Sequence, residues 1–191
     1  MQDRLVIPGE SDDVRARRSR DELAWALIEL MRGKDYDAIS VQDICAHAGV
    51  GRSTFYAHFA DKDEMLIRHV VVFVEWMGGR FAWDARRDSY RFDLALLLDH
   101  VRDMRAVFDS LARSRRIELI TRVWQDGFAT RFAATIRSAR GDTAQAIPAE
   151  LLAQHIAGSV INLMLWWLRH HCPIESGEID RHFHAMIRGL R

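Results

Sequence analysis

The sequence predicts an all-α protein, and three observations carry that prediction. Helix breakers are sparse, with 3 prolines and 11 glycines in 191 residues. Apolar residues recur at spacings of three and four along most of the chain, and no segment alternates as a half-buried strand does. Caps and glycine stops fall where the periodic runs begin and end. Hydrophobic residues make up 49% and charged residues 28%, a globular rather than a disordered composition. The runs group into an arm over residues 1–13, a compact N-terminal unit over 14–60 and a larger helical bundle over 61–191.

The arm is polar and carries Pro8 and Gly9. From Val14 the pattern turns helical, with Leu23, Leu27 and Met31 one turn apart, and Gly33 ends the run. Ser40, with Asp43 three residues on, has capping-box spacing and opens a short helix over 41–48. Gly49 follows as the left-handed stop. A second short helix covers 52–60, and Asp61 caps a longer one that ends near Gly78 and Gly79. Residues 83–91 are read as a charged, turn-like connection. Helices are expected over 92–103, 104–113 and 116–139, then a polar loop over 140–147. Pro148 opens the next helix, Pro173 closes it, and Ser176 caps the last.

Charge excludes one class of function. Lys+Arg and Asp+Glu both number 27, so the chain is no polycation that coats nucleic acid or an anionic membrane. Any nucleic-acid contact must come from charge placed locally. Residues 1–68 hold ten basic against thirteen acidic side chains, but four arginines cluster at Arg15, Arg17, Arg18 and Arg20, where they can lie along a phosphate backbone. Cys45 and Cys172 cannot make a disulfide framework and suit a reducing cytosol. Acids at Asp3, Glu10, Asp12 and Asp13 interrupt any signal-like run. The most apolar stretch, 156–168, contains Gly158, Ser159 and Asn162 and is shorter than the roughly 20 residues of a membrane span. A cytoplasmic protein with no membrane partner and no cofactor is expected.

The informative segment is SVQDICAHAGVGRSTFYAHFADK, residues 40–62. It has the form of a helix-turn-helix: a capped first helix, a glycine turn plugged by Val50, and a second helix that buries Phe55 and Phe59. The free face of that helix carries Arg52, Ser53, Thr54, Tyr56, Ala57 and His58 and no acid. Such a helix fits a major groove with its N-terminal residues at the base edges. Arg52 is the sharpest base reader, because a guanidinium pairs bidentately with guanine. Thr54 is suited to a thymine methyl, a base edge or a phosphate. Tyr56, His58 and Lys62 are expected at phosphates, with Ser40 and Gln42 at the groove rim.

The segment closely resembles the N-terminal domain of the TetR family of bacterial transcriptional regulators. The resemblance rests on Ser40-Val41-x-x-Ile44, Ala48-Gly49-Val50, Thr54-Phe55-Tyr56-x-x-Phe59-x-x-Lys62 and Leu66, and covers about residues 15–68. Arg52, Ser53, Thr54, Tyr56, Ala57, His58, Lys62 and Gln42 fall on positions that contact DNA in the family. Gly51 departs from it, standing where a small hydroxylated residue is frequent. The resemblance implies a homodimer on a near-palindromic double-stranded operator, and a C-terminal domain whose small-molecule effector usually releases the DNA.

For the bundle, the expected effector pocket draws on Phe73, Met77, Phe108, Trp124, Phe128, Asn162 and Trp166. The expected dimer interface uses Ala153, Ala157, Val160 and Met164 on one helix and Ile179, Phe183, Met186 and Leu190 on the next. His170, His171, Cys172, His182 and His184 lack same-helix ligand spacing for zinc and are read as surface or interface residues. No catalytic pair with an orienting acid is visible, so an enzyme is not expected. The other open reading is a DNA-binding adaptor or architectural protein that answers to a protein partner; a filled bundle core would favour it.

Overall fold

The computed structural model of the chain describes residues 14–140 and 147–188. The arm over 1–13 and Leu190 lie outside the described residues, as do the side chains of Arg15 and Arg17. The described residues form α1 (Val14–Met31), α2 (Val41–Ala48), α3 (Arg52–His58), α4 (Lys62–Gly78), β1 (Ala82–Asp84), β2 (Ser89–Arg91), α5 (Leu94–Asp103), α6 (Arg105–Arg113), α7 (Ile117–Arg140), α8 (Ala149–Arg169) and α9 (Ser176–Ile187). A single 3-10 turn, Tyr36–Ala38, joins α1 to α2.

The N-terminal caps follow local chemistry. Ser40 Oγ accepts the Asp43 N–H at 3.1 Å, and the Asp43 carboxylate accepts the Ser40 N–H at 2.9 Å. Gly49 takes φ 68°, the left-handed conformation that costs glycine least. Asp61 caps α4 by accepting the Glu64 N–H at 2.8 Å, and Glu64 reaches back to the Ala60 N–H at 2.7 Å. At α9 the expectation is corrected. Glu175 occupies the cap position without a side-chain bond, and Ser176 is the buried first residue of the helix.

A second correction concerns 83–91, which is a β-hairpin rather than a turn-like connection. Its strands pair antiparallel with Trp83 opposite Tyr90. Each strand has three residues, too few for alternation to register as a pattern. The flanking aromatics are core: Phe81, Tyr90 and Phe92 are buried, and Phe81 stacks on Phe132 of α7 at 4.1 Å. His184 of α9 fastens the hairpin from below, its Nε2 accepting the Phe92 N–H at 3.1 Å.

Helices α1 to α3 form a three-helix unit around Leu23, Leu27, Tyr36, Ile44 and Phe55. In the rest of the chain α7 lies between α4 and α8, and α9 packs on α5 and β2. Helix α8 is 21 residues long, so residues 156–168 belong to a helix whose length and composition would allow a membrane crossing. Half of its most apolar window is buried against other parts of the protein, as in a core helix.

That packing overturns part of the expected dimer surface. Ala153, Ala157, Val160 and Met164 are fully buried within the chain, in a helix that packs chiefly on α7. Ile179 and Phe183 are likewise buried within the chain. A stripe of small and apolar residues suits a neighbouring helix of the same chain as well as one from a second copy, and here it is buried within the chain. Met186 alone of the described set stays outside, 61% exposed.

Candidate DNA-reading face and internal cavity

The turn after α2 sets α3 across it, with Phe55 and Phe59 buried, and this turns the opposite face of α3 to solvent. Arg52, Ser53, Tyr56 and Ala57 are exposed; Thr54 and His58 are half-buried. The Arg52 guanidinium donates to the Tyr56 hydroxyl at 3.4 Å, one turn apart along the helix. This contact holds two long side chains side by side without burying either. Gly51 occupies the cap position of α3 and supplies no side-chain bond to the helix N-terminus.

The other two predicted rim residues behave differently. Gln42 is exposed near the start of α2. Ser40 is exposed too, but its hydroxyl belongs to the capping box, where it also donates to Asp43 Oδ2 at 2.8 Å. Lys62 corrects the expectation of a phosphate contact. Its ammonium donates to the main-chain carbonyls of Tyr36 and Ile39, both at 2.8 Å, and sits 4.4 Å from the centre of the Tyr36 ring. Burial holds its pKa below the usual lysine value. Of the arginine cluster, Arg18 is exposed and paired with Glu22 at 2.8 Å.

Lys62 belongs to a polar brace that ties the three-helix unit to the bundle. The Tyr36 hydroxyl donates to Asp63, which also accepts from Arg116 of α7 at 3.2 Å. Burial, then the hydrogen bond to Asp63, raises the Tyr36 pKa and keeps the hydroxyl protonated. Burial pushes the Asp63 pKa upward, but hydrogen bonds from Tyr36 and Arg116 outweigh it and hold the carboxyl below its ordinary range. The fully buried Ser110 of α6 accepts the Tyr36 N–H at 2.8 Å and donates to the Lys34 carbonyl at 3.1 Å. Arg113 meets Asp35 at 2.5 Å.

The protein also holds a cavity of about 600 Å³. Of the seven residues named for a pocket, Phe73, Phe108 and Trp124 line it and the other four do not. Met77 and Phe128 are fully buried core, Asn162 is exposed on α8, and Trp166 stacks beside His170 at 5.2 Å. The walls include residues the sequence reading passed over: Trp25 of α1, His69 and Arg80 at and just after α4, His100 of α5 and Met104. One signal was present. His69, Phe73, Trp76 and Arg80 stand four, three and four residues apart, one face of a helix. His100 stacks on Phe73 at 4.3 Å. Burial, reinforced by His100, lowers the His69 pKa to about 4. Burial lowers that of His100 as well.

Comparisons with known proteins agree with this geometry. A family model described as "Bacterial regulatory proteins, tetR family" matches residues 26–68, which run from α1 through α2 and α3 into α4. The "Uncharacterized HTH-type transcriptional regulator YxbF" of Bacillus subtilis (strain 168) is 36% identical over 67 residues, 32% of this chain. The match spans only 18% of that relative's length. Among solved structures, the dihydroxyacetone kinase operon activator DhaS superposes with a TM-score of 0.64 at 16% identity, covering 89% of this chain and 96% of that one. A TetR transcriptional regulator from Streptococcus agalactiae 2603V gives 0.57 at 22% identity, over 91% and 95% of the two chains. The fatty acid degradation regulator FadR from Bacillus halodurans gives 0.57 at 17% identity, over 95% and 99%. At these identities the superpositions speak for the all-helical fold, while the helix-turn-helix speaks for the family. Residues 26–68 therefore carry a helix-turn-helix domain similar to that of the bacterial regulatory proteins of the tetR family.

Proposed function

We propose that the protein is a homodimeric, ligand-responsive repressor that reads a near-palindromic operator with α3 from each subunit. The observation that carries this is the solvent face of α3, where Arg52, Ser53, Tyr56 and Ala57 stand exposed beside half-buried Thr54 and His58. No acidic side chain interrupts α3. Gln42 and Ser40 stand at the rim. Lys62 acts as a brace that fixes the angle of the three-helix unit rather than as a phosphate contact. Two such heads on a two-fold axis meet successive major grooves about 34 Å apart.

The ligand-responsive part draws on the cavity, whose walls include α1 and α4 at once. An effector there biases how the three-helix unit sits on the bundle. A coupling of about 1 to 3 kcal/mol lowers operator affinity roughly 5- to 150-fold. A roomy cavity also speaks against the adaptor reading, for which a filled core was the expected sign. The test is selection of bound sequences from random duplex DNA by the full chain. A two-fold symmetric consensus is the expected result; equal retention of all sequences overturns the reading.

A further inference from the structure

The chemistry of the cavity narrows the kind of molecule it takes, on the reading that this cavity is the effector site. Its walls are chiefly aromatic and aliphatic: Trp25, Phe73, Trp76, Phe108 and Trp124 with Ile, Leu, Val and Met between them. Three of these rings pack edge by edge into one continuous wall, with Phe73 5.2 Å from Trp124 and 5.8 Å from Trp76. Such walls select flat, apolar ligands.

Charge in the lining is one-sided. No carboxylate lines the cavity among the described residues. Among the described residues His69 and His100 are the titratable groups in the lining besides Arg80, and burial keeps both imidazoles neutral at pH 7. The Arg80 guanidinium lies 3.8 Å from the centre of the Trp76 ring and donates to the Trp76 carbonyl at 3.4 Å. It has no carboxylate partner among the described residues. Arg80 therefore leaves one positive charge at the edge of an apolar space. A second observation points the same way. Trp124, 4% exposed, carries a buried indole N–H with no acceptor, which an oxygen-bearing ligand would supply.

We propose that the cavity binds a planar aromatic acid, its rings against the wall of Phe73, Trp76, Phe108 and Trp124 and its carboxylate at Arg80. Positively charged aromatics are rejected, because the lining offers them no counter-charge.

The test uses three probes of one shape and different charge: 2-naphthoate, 2-naphthalenemethanol and 2-naphthylmethylammonium. Each is titrated at pH 7 into the full chain by calorimetry and by quenching of tryptophan fluorescence. Naphthoate is expected to bind at least about tenfold tighter than the other two, the gain of one charge-assisted pair in a partly dry site. Arg80→Gln, at an exposed position, is expected to remove that preference while leaving the alcohol's affinity unchanged. Equal binding of all three, or tighter binding of the ammonium probe, overturns the acid assignment. Failure of every probe to bind, in protein that still selects an operator, overturns the cavity as a site for flat ligands and leaves DNA reading intact. Tight naphthoate binding that does not change operator affinity upholds the ligand class and counts against ligand-responsive regulation.

Discussion

Two side chains show how much single residues decide. Arg52 is exposed and, among the described residues, is steadied by its contact with Tyr56, so truncating it costs the fold little. Arg52→Ala is therefore expected to leave thermal unfolding nearly unchanged, and to relax preference at one base in each half-site by about 1 to 3 kcal/mol in binding titrations against operator variants. Uniform weakening on all sequences would instead make Arg52 a phosphate contact. His69 is the opposite case, a histidine held neutral inside the protein with a pKa of about 4. The unfolded chain takes up this proton below about pH 6.5, while the folded chain resists until about pH 4. Stability is thus full above pH 6.5 and falls as the pH drops to about 4, by roughly 2 kcal/mol once contact with cavity solvent is discounted. His69→Leu is expected to flatten that part of the curve of denaturant midpoint against pH.

At the scale of elements, the tightest constraint is the approach of α4 to α7. A β-carbon added at Gly127 would lie 2.4 Å from Val74 Cγ1, inside any real contact distance. Gly127→Ala is expected to separate the two helices and cost about 1 to 3 kcal/mol, read as a lower denaturant midpoint; pairing it with Val74→Ala is expected to restore most of the loss. This contact was not legible from the sequence, where Gly127 looks like an indifferent glycine in a long amphipathic run. The N-terminal elements were legible, because their information is local: the Ser40–Asp43 box, the Gly49 stop and the Asp61 cap each act within four residues. The hairpin was not, since three-residue strands carry no period and its stability comes from Phe132 and His184, far away in sequence. The same reason explains the cavity. Its stripe on α4 is periodic, but whether such a stripe faces a solid core or a space depends on α1, α5, α6 and α7 together.

At the scale of the whole molecule, the unresolved question of sequence was which way α8 faces. Its small-residue stripe is buried within the chain, so the proposed dimer would have to use other surfaces. On α8 and α9 the large apolar side chains left outside are Leu151, 63% exposed, and Met186, 61% exposed, with His155 and Asn162 also exposed on α8. If the proposed dimer forms through these two helices, Leu151 and Met186 are the side chains it would cover. Dimerisation through them would also decide how far apart the two α3 heads stand, so operator reading and assembly stand or fall together. Leu151→Glu combined with Met186→Glu is expected to turn a dimer into a monomer in analytical ultracentrifugation, because each interface would then hold four buried, unpaired carboxylates. The single-subunit fold is expected to survive, since neither side chain enters the core, and helical content by circular dichroism should be unchanged. Operator affinity should drop by orders of magnitude while affinity for a half-site changes little. A double variant that remained dimeric would place the subunit contact elsewhere on the bundle.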